Sequence, residues 1–116
     1  ALKHPFLTPG SDQYADVLWD WDSWLSNIAL RQILAKVANT AELDRARPYE
    51  RGCVLNFLEF GGMDGWIPIL AGRDGFPKPE HIYEENMRKP CLAQHAAFLI
   101  EADQDDTEWL RPKFYF

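Results

Sequence analysis

The sequence predicts a single all-α domain with about four helices and one long irregular loop. Three observations carry this prediction. Apolar residues recur at helical spacing in several stretches, 47% of the residues are hydrophobic, and glycine and proline are concentrated in residues 61–89. Because the chain has 116 residues, it has room for one ordinary domain with a core of its own.

The first helix is predicted to begin at about Asp22, after an extended opening segment over residues 1–21 that contains two prolines and Gly10. Asp22 or Ser23 can cap its first turn, and Asn39-Thr40 ends it. Its apolar residues form a wide face that is expected to be buried. The residues of this face are Trp24, Leu25, Ile28, Ala29, Leu30, Ile33, Leu34 and Val37.

A second helical region is predicted from about Thr40 to Phe60, where Gly61-Gly62 stops it. Pro48 either kinks this helix or opens a new one. The buried stripe of the second helix is predicted to be Cys53, Val54, Phe57 and Leu58.

The loop over residues 61–89 is predicted to be irregular apart from a brief strand at residues 66–70. A loop of this length is uncommon in a small domain and is usually functional. Pro90 then opens a third helix that runs to about Ala102. Its predicted inward residues are Leu92, Ala93, Ala96, Ala97, Leu99 and Ile100.

A fourth helix, capped by Asp106 or Thr107, is predicted around Trp109 and Leu110. Three aromatic residues at 114–116 follow it, and such a run gains nothing from being left in water. We therefore expect the chain to continue into a longer sequence, or this edge to be completed by a partner.

Charge and composition exclude some classes of function. The 12 basic and 18 acidic residues give a net charge of −6, which disfavours a nucleic-acid binder because such a protein needs a basic face. No apolar run is long enough for a transmembrane helix. Cys53 and Cys91 lie in apolar stretches and are expected to be reduced and buried, with a single bridge left open. Because residues 1–5 do not resemble a secretory signal, a cytoplasmic location is slightly favoured.

The densest candidate site is the run Trp19-Asp20-Trp21-Asp22-Ser23-Trp24. Flat indole faces beside carboxylates are what a carbohydrate site needs, because the sugar offers both C–H groups and hydroxyls. A structural interpretation stays open, in which Trp24 is core, one Asp caps the helix and the other Trp residues pack the opening segment.

Two weaker signals lie in and beside the loop. The charged run over residues 84–90 precedes the third helix and can recognise a polar ligand or form a solvated first turn. Gly65-Trp66-Ile67-Pro68 is a tight turn in which Trp66 either lines a cleft or covers a core. No metal-ligand spacing, nucleophile arrangement or phosphate loop is found, so no metal or cofactor is expected.

Taken in order, the three motifs resemble the start of the catalytic domain in (α/α)6-barrel glycoside hydrolases. The nearest likeness is to the processing α-glucosidase and mannosylglycerate hydrolase family, glycoside hydrolase family sixty-three, with trehalases more distant. The resemblance runs from about residue 17 onward. It implies a partial (α/α)6 toroid over residues 22–116.

The resemblance also implies roles for individual residues in a sugar subsite. Trp21 would stack on or wall the sugar ring, Asp22 would accept hydrogen bonds from its hydroxyls, and Lys89 would point a donor into the same pocket. The looser candidates for the cleft are Trp66, Asn86, Trp19 and Asp20.

The catalytic carboxylates of these inverting enzymes come from later parts of the barrel, and 116 residues hold only about four of twelve helices. The chain alone is therefore expected to be inactive. Its expected partners are an oligosaccharide or small glycoside, and the remainder of the same barrel or a second copy. Two alternatives remain, a non-catalytic carbohydrate-binding or interaction module and a structural helical domain in which every Trp is core.

Overall fold

Three α-helices make up most of the chain that the computed structural model describes, which is residues 2–37, 39–59, 67–72 and 91–113. They are α1 (Asp20–Val37), α2 (Thr40–Glu59) and α3 (Cys91–Ala102). Short 3-10 helices span Asp12–Tyr14 and Glu108–Lys113. The prediction of a mostly helical chain is confirmed.

The structure contains a small sheet that the sequence did not predict. Strand β1 (Val17–Trp19) pairs antiparallel with β2 (Leu70–Gly72), so that Leu18 lies opposite Ala71. Most of the long loop lies outside the described residues, but the strand predicted at residues 66–70 is in fact shifted to β2. Within the opening segment that was predicted as extended, β1 is extended, whereas Asp12–Tyr14 forms a 3-10 turn and α1 already begins at Asp20.

The helix ends follow local chemistry. Helix α1 begins at Asp20, two residues before the predicted start, because the Asp20 amide donates to the carbonyl of Ile69 at 3.0 Å. Helix α2 is capped by Asn39, whose side-chain oxygen accepts from the Ala41 amide at 3.0 Å. This helix runs through Pro48 without a break, so a new helix starting there is excluded.

Helix α3 ends in a Schellman turn. The Asp105 amide reaches the carbonyl of Ile100 at 2.8 Å, and the Gln104 amide reaches that of Glu101 at 3.3 Å. Gln104 and Asp105 both have left-handed backbones, with φ of 59° and 64°. The turn leads into Glu108–Lys113, which is a 3-10 helix and not the predicted α-helix, although Asp106 caps it as predicted by accepting from the Glu108 amide.

Two apolar clusters form the core. One gathers Leu18, Cys53, Phe57 and Ala71, and the other gathers Val54, Leu99 and Leu110. The predicted stripe of α2 is thus largely confirmed, with Leu58 only partly buried. Cys53 and Cys91 are both buried and form no disulfide bond, which confirms the expectation of reduced thiols.

Helix α1 contradicts its predicted orientation. Its buried residues are mostly polar, and the apolar residues predicted to face the core include several of the most exposed large side chains in the described chain. The buried set is Asp20, Ser23, Asn27 and Leu34. The exposed set is Leu25 at 47%, Ile33 at 60% and Val37 at 54%, together with Trp21 at 41%.

Helix α3 differs in a similar way. Its buried stripe is Cys91, His95 and Leu99, spaced four apart, whereas the predicted inward residues Ala93 and Ala97 are exposed. No helix among the described residues is both long and apolar enough to cross a membrane.

Candidate functional site

The first turn of α1 carries the residues that the sequence singled out. Trp21 exposes 41% of its surface, and its ring meets the Trp24 ring edge-on, with centroids 5.9 Å apart and an interplanar angle of 76°. This T-shaped contact restrains the exposed indole. The interpretation in which every Trp is core is therefore wrong for Trp21.

The two carboxylates of this turn have different surroundings. Asp20 is buried, and its Oδ1 accepts from the Trp21 amide at 2.6 Å, so its position is fixed by the start of the helix. Asp22 is half-buried, and within the described ranges its carboxylate has no hydrogen-bond or ion-pair partner. Asp22 can thus accept hydrogen bonds from a ligand, whereas Asp20 has the structural role.

Trp24 and Trp19 flank this pair. Both are half-buried, and the Trp24 Nε1 atom is buried with no acceptor in the described part of the chain. Trp19 ends β1, opposite Leu70. The predicted site residues Trp66, Asn86 and Lys89 lie outside the described residues.

A larger polar cluster, which sequence reasoning missed, lies at the centre of the three helices. Glu50 on α2 has no exposed surface and receives two hydrogen bonds of 2.7 Å from Arg31 on α1. Asn27, which is also fully buried, donates to the same carboxylate at 2.7 Å and accepts from His95 Nε2 at 2.8 Å. One continuous chain of hydrogen bonds therefore joins α1, α2 and α3.

The chain of contacts continues to the turn after α3. Arg31 also donates to Asp103 at 3.1 Å, and Arg51 bridges Asp103 at 3.1 Å and Asp106 at 2.9 Å. The Arg51 guanidinium lies 5.4 Å from the centre of the Trp109 ring, within cation–π range. Arg31, Arg51, Asp103 and Asp106 border a cleft of about 500 Å³ at this end of the helices.

The burial of His95 has an electrostatic consequence. Loss of solvation lowers the pKa of its imidazole to about 4, so the ring is neutral near pH 7 and donates one N–H to Asn27. Neutral His95 is thus a packed, hydrogen-bonded core residue.

The signal for this cluster was present in the sequence as polar residues at helical spacing. Asn27 and Arg31 are four apart on α1, and Arg47 and Arg51 are four apart on α2. They were missed because the apolar residues of α1 predicted that the opposite face of this helix is the buried one. Among the described residues, no group of His, Cys, Asp or Glu has the arrangement of a metal site.

Comparison with known proteins adds no family. No family model, curated protein sequence or solved structure matches this chain. The functional argument therefore depends on the residues themselves.

Proposed function

We propose that this chain is part of an inverting glycoside hydrolase of the (α/α)6-barrel type that acts on α-linked gluco-configured sugars. It contributes part of the sugar-binding subsite and neither the general acid nor the general base. The observation that carries the proposal is the pair in the first turn of α1, where the restrained, exposed indole of Trp21 adjoins the unpartnered carboxylate of Asp22.

The pair suits a pyranose for simple chemical reasons. The indole face offers an apolar surface to the C–H groups of the ring, and a carboxylate is the strongest acceptor for its hydroxyls. Trp21 and Asp22 are consecutive and therefore point about 100° apart around α1. Because side chains on a helix tilt toward its amino end, a sugar lying across that end can meet both of them. The Trp24 edge contact lowers the entropy that the Trp21 indole would lose on binding.

The inverted polarity of α1 supports membership in a larger helical assembly. Beyond the Trp21 indole, Leu25, Ala29, Ile33 and Val37 are four apart and all exposed, so they form one apolar ridge along the helix. Monomers rarely leave so long an apolar strip in water, and such a strip marks a surface for another element. In the proposed barrel this ridge receives a neighbouring helix.

A binding experiment tests the site on the 116-residue chain. Maltose and trehalose are titrated by calorimetry into the native chain and into the Trp21→Ala and Asp22→Asn variants. Each substitution is expected to weaken binding by tenfold or more, which is about 1.4 kcal/mol. The matched controls are Tyr49→Ala, an aromatic residue on α2 with 44% exposure, and Glu101→Gln on α3.

The sugar site would be contradicted if the control variants lost as much affinity for maltose or trehalose as the Trp21 and Asp22 variants. It would also be contradicted if the native chain bound neither sugar. The same chain is expected to release no glucose from α-glucosides, because the acid and base are assigned to other parts of the barrel. In the complete enzyme, Asp22→Ala should raise KM and lower kcat. Unchanged kinetics would mean that Asp22 has only a structural role in the first turn of α1 and does not contact the substrate.

A second candidate is a non-catalytic sugar-binding module. The mutual packing of the three helices around Arg31 and Glu50 favours it, because the described chain satisfies its most buried charges internally. The parent reading frame separates the two candidates. Continuation for several hundred codons beyond Phe116 supports the enzyme, whereas a stop codon there supports the module.

A further inference from the structure

Three arginine side chains from two helices meet at one carboxylate where α3 ends. The Asp103 side chain is only 4% exposed, and it pairs with Arg31 and with Arg51 at 3.1 Å. Arg47 lies slightly farther away, with its Nε atom 3.4 Å from Oδ1 of Asp103. Asp103 therefore holds together three guanidinium groups that would otherwise repel one another.

Arg47 and Arg51 have more hydrogen-bond donors than the described chain has acceptors for them, since each guanidinium carries five N–H groups. Within the described ranges, Arg47 donates from Nη1 alone, to Asp44. Arg51, in the same part of the chain, donates from Nη2 alone, to Asp103 and Asp106. The Nε atoms of both arginines are buried and have no acceptor there. This deficit of acceptors indicates that an oxygen-bearing group completes the cluster.

Both arginines line the cleft of about 500 Å³ that the end of α3 and the start of α2 border. A cleft of this size accommodates a small organic molecule as well as a free ion. The side chains of Thr40 and Gln104 line it and can hydrogen-bond to hydroxyl groups, while Leu43 adds an apolar wall. The cleft thus suits a small polar molecule that presents an oxygen-rich group to the arginines.

The charged groups around the cleft are already paired, so its ligand is determined by the guanidinium donors that remain. Glu50 neutralises Arg31 from the core side. The more exposed of the two lining carboxylates is Asp106, at 40%, and it already accepts from Arg51 at 2.9 Å. An oxyanion can use the remaining N–H groups of Arg47 and Arg51, because guanidinium forks match carboxylate and phosphate oxygens. A cation would meet only carboxylates that are bonded to arginine.

We propose that this cleft binds a small organic oxyanion, a molecule that carries a carboxylate or a phosphate group. Its charged group lies between Arg47 and Arg51, which are one turn apart on α2. Its body contacts Thr40 and Gln104. Asp106, beside Arg51, weakens the binding by repulsion. The inference does not depend on the proposed sugar site, whose residues do not line this cleft.

Calorimetry with glycerol 3-phosphate and with malate tests the site, and uncharged glycerol is the ligand control. At least one of the two anions is expected to bind the native chain with a dissociation constant in the low millimolar range or below, which two charge-assisted contacts provide. Binding of glycerol 3-phosphate alone would identify a phosphate ligand, and binding of malate alone a carboxylate ligand. Neither probe contains a pyranose ring, so the result is separate from that for the sugar site.

Three variants distinguish the cleft from a general attraction of anions. Arg47→Met should weaken the binding about tenfold or more, because it removes hydrogen bonds to a charged group. Arg45→Met removes an arginine that is 74% exposed and outside the cleft, and should leave the binding unchanged. Asp106→Asn should strengthen the binding about fivefold, because it removes a nearby negative charge. Asparagine can still cap the 3-10 helix as Asp106 does.

NMR of the arginine Nε–H groups reports where the anion binds. The anion should shift the signals of Arg47 and Arg51 and leave that of Arg111, which is 76% exposed, in place. The proposal would be overturned if neither anion bound measurably to the native chain at about 10 mM. It would also be overturned if Arg45→Met weakened the binding as much as Arg47→Met, or if Asp106→Asn weakened it.

Discussion

Arg31 on α1 and Glu50 on α2 form a bidentate ion pair with both nitrogen–oxygen distances at 2.7 Å. The Glu50 side chain has no exposed surface, and that of Arg31 exposes 13%. Because Asn27 donates to the same carboxylate, Glu50 is satisfied only as long as α1 keeps its position. The pair therefore fixes how α1 packs, with its polar side inward.

Removing the arginine should be strongly destabilising. Arg31→Met leaves the Glu50 charge buried without its cation, and such a loss costs about 3–5 kcal/mol. Urea unfolding measures the change. The control is Arg45→Met, whose ion pair with Glu42 is on the surface with the arginine 74% exposed, and a change of about 0.5 kcal/mol or less is expected there. A cost below about 1 kcal/mol for Arg31→Met would show that the pair does not hold α1.

The stability of the chain should depend on pH through His95. Burial lowers the pKa of His95 from 6.5 to about 4, so the unfolded chain binds a proton that the folded chain refuses. The free energy of unfolding is therefore highest above about pH 6.5. It decreases as the pH drops toward 4, by about 3 kcal/mol in total.

Unfolding free energies between pH 5 and 6.5 isolate this effect. Lys113, with His4 and Lys3, lowers the pKa of Glu59 from 4.5 to about 2, and Glu59 therefore weakens the fold only below that window. The His95→Gln variant should lose the slope between pH 5 and 6.5. If the free energy of unfolding of this variant still changed between pH 5 and 6.5, the proton taken up on unfolding would belong to a group other than His95.

The thiol of Cys53 should be inert in the folded chain. Burial raises its pKa to about 12, and the thiolate is the reactive form. In a Cys91→Ser background, iodoacetamide at pH 8 should leave Cys53 unmodified until denaturant is added, as mass spectrometry would show. A cysteine placed at the exposed position Glu101 should react within minutes. Rapid labelling of native Cys53 would mean that residues 2–7, whose Leu7 amide donates to the Cys53 sulfur, move away from it readily.

The helices were predictable because their signals are local. Asn39 caps α2 and Asp106 caps the last 3-10 helix, each by accepting a hydrogen bond from the amide two residues ahead. The start of each of these two helices can therefore be located from local sequence. The start of α1 was two residues off because it depends on Ile69, which is far away in the chain. Strand β1 was missed for the same reason, since its partner β2 lies more than fifty residues later.

The orientation of α1 could not be predicted from hydrophobic periodicity. Periodicity assumes that the apolar face is the buried one, but Arg31 and Asn27 are held inward by Glu50. At the candidate site, Asp20 is buried at the helix start, whereas Trp21 is exposed and Asp22 is half-buried. Their contact with a sugar stays a prediction.

The turn after α3 offers a stabilising substitution. Gln104 has a φ of 59° at the position of a Schellman turn that glycine usually occupies. Gln104→Gly should remove backbone strain and stabilise the chain by up to about 1 kcal/mol, since the gain exceeds the added freedom of the unfolded chain. Thermal unfolding measures the change, with Glu101→Gly inside α3 as a control that should lose about 1 kcal/mol. Destabilisation by Gln104→Gly would imply that its side chain contributes more than the turn costs.

Neighbouring residues on α1 provide the sharpest test of its exposed ridge. Ile33 is 60% exposed and Leu34 is 7% exposed. In the 116-residue chain, Ile33→Glu should change the free energy of unfolding by about 0.5 kcal/mol or less, whereas Leu34→Glu buries a charge and should cost several times more. In the complete barrel that we propose, a neighbouring helix covers the ridge, so Ile33→Glu should become nearly as damaging as Leu34→Glu. If Ile33→Glu remained harmless in the complete protein, no helix would pack on the ridge. The proposal of a barrel would then have lost its main supporting observation apart from the sugar site.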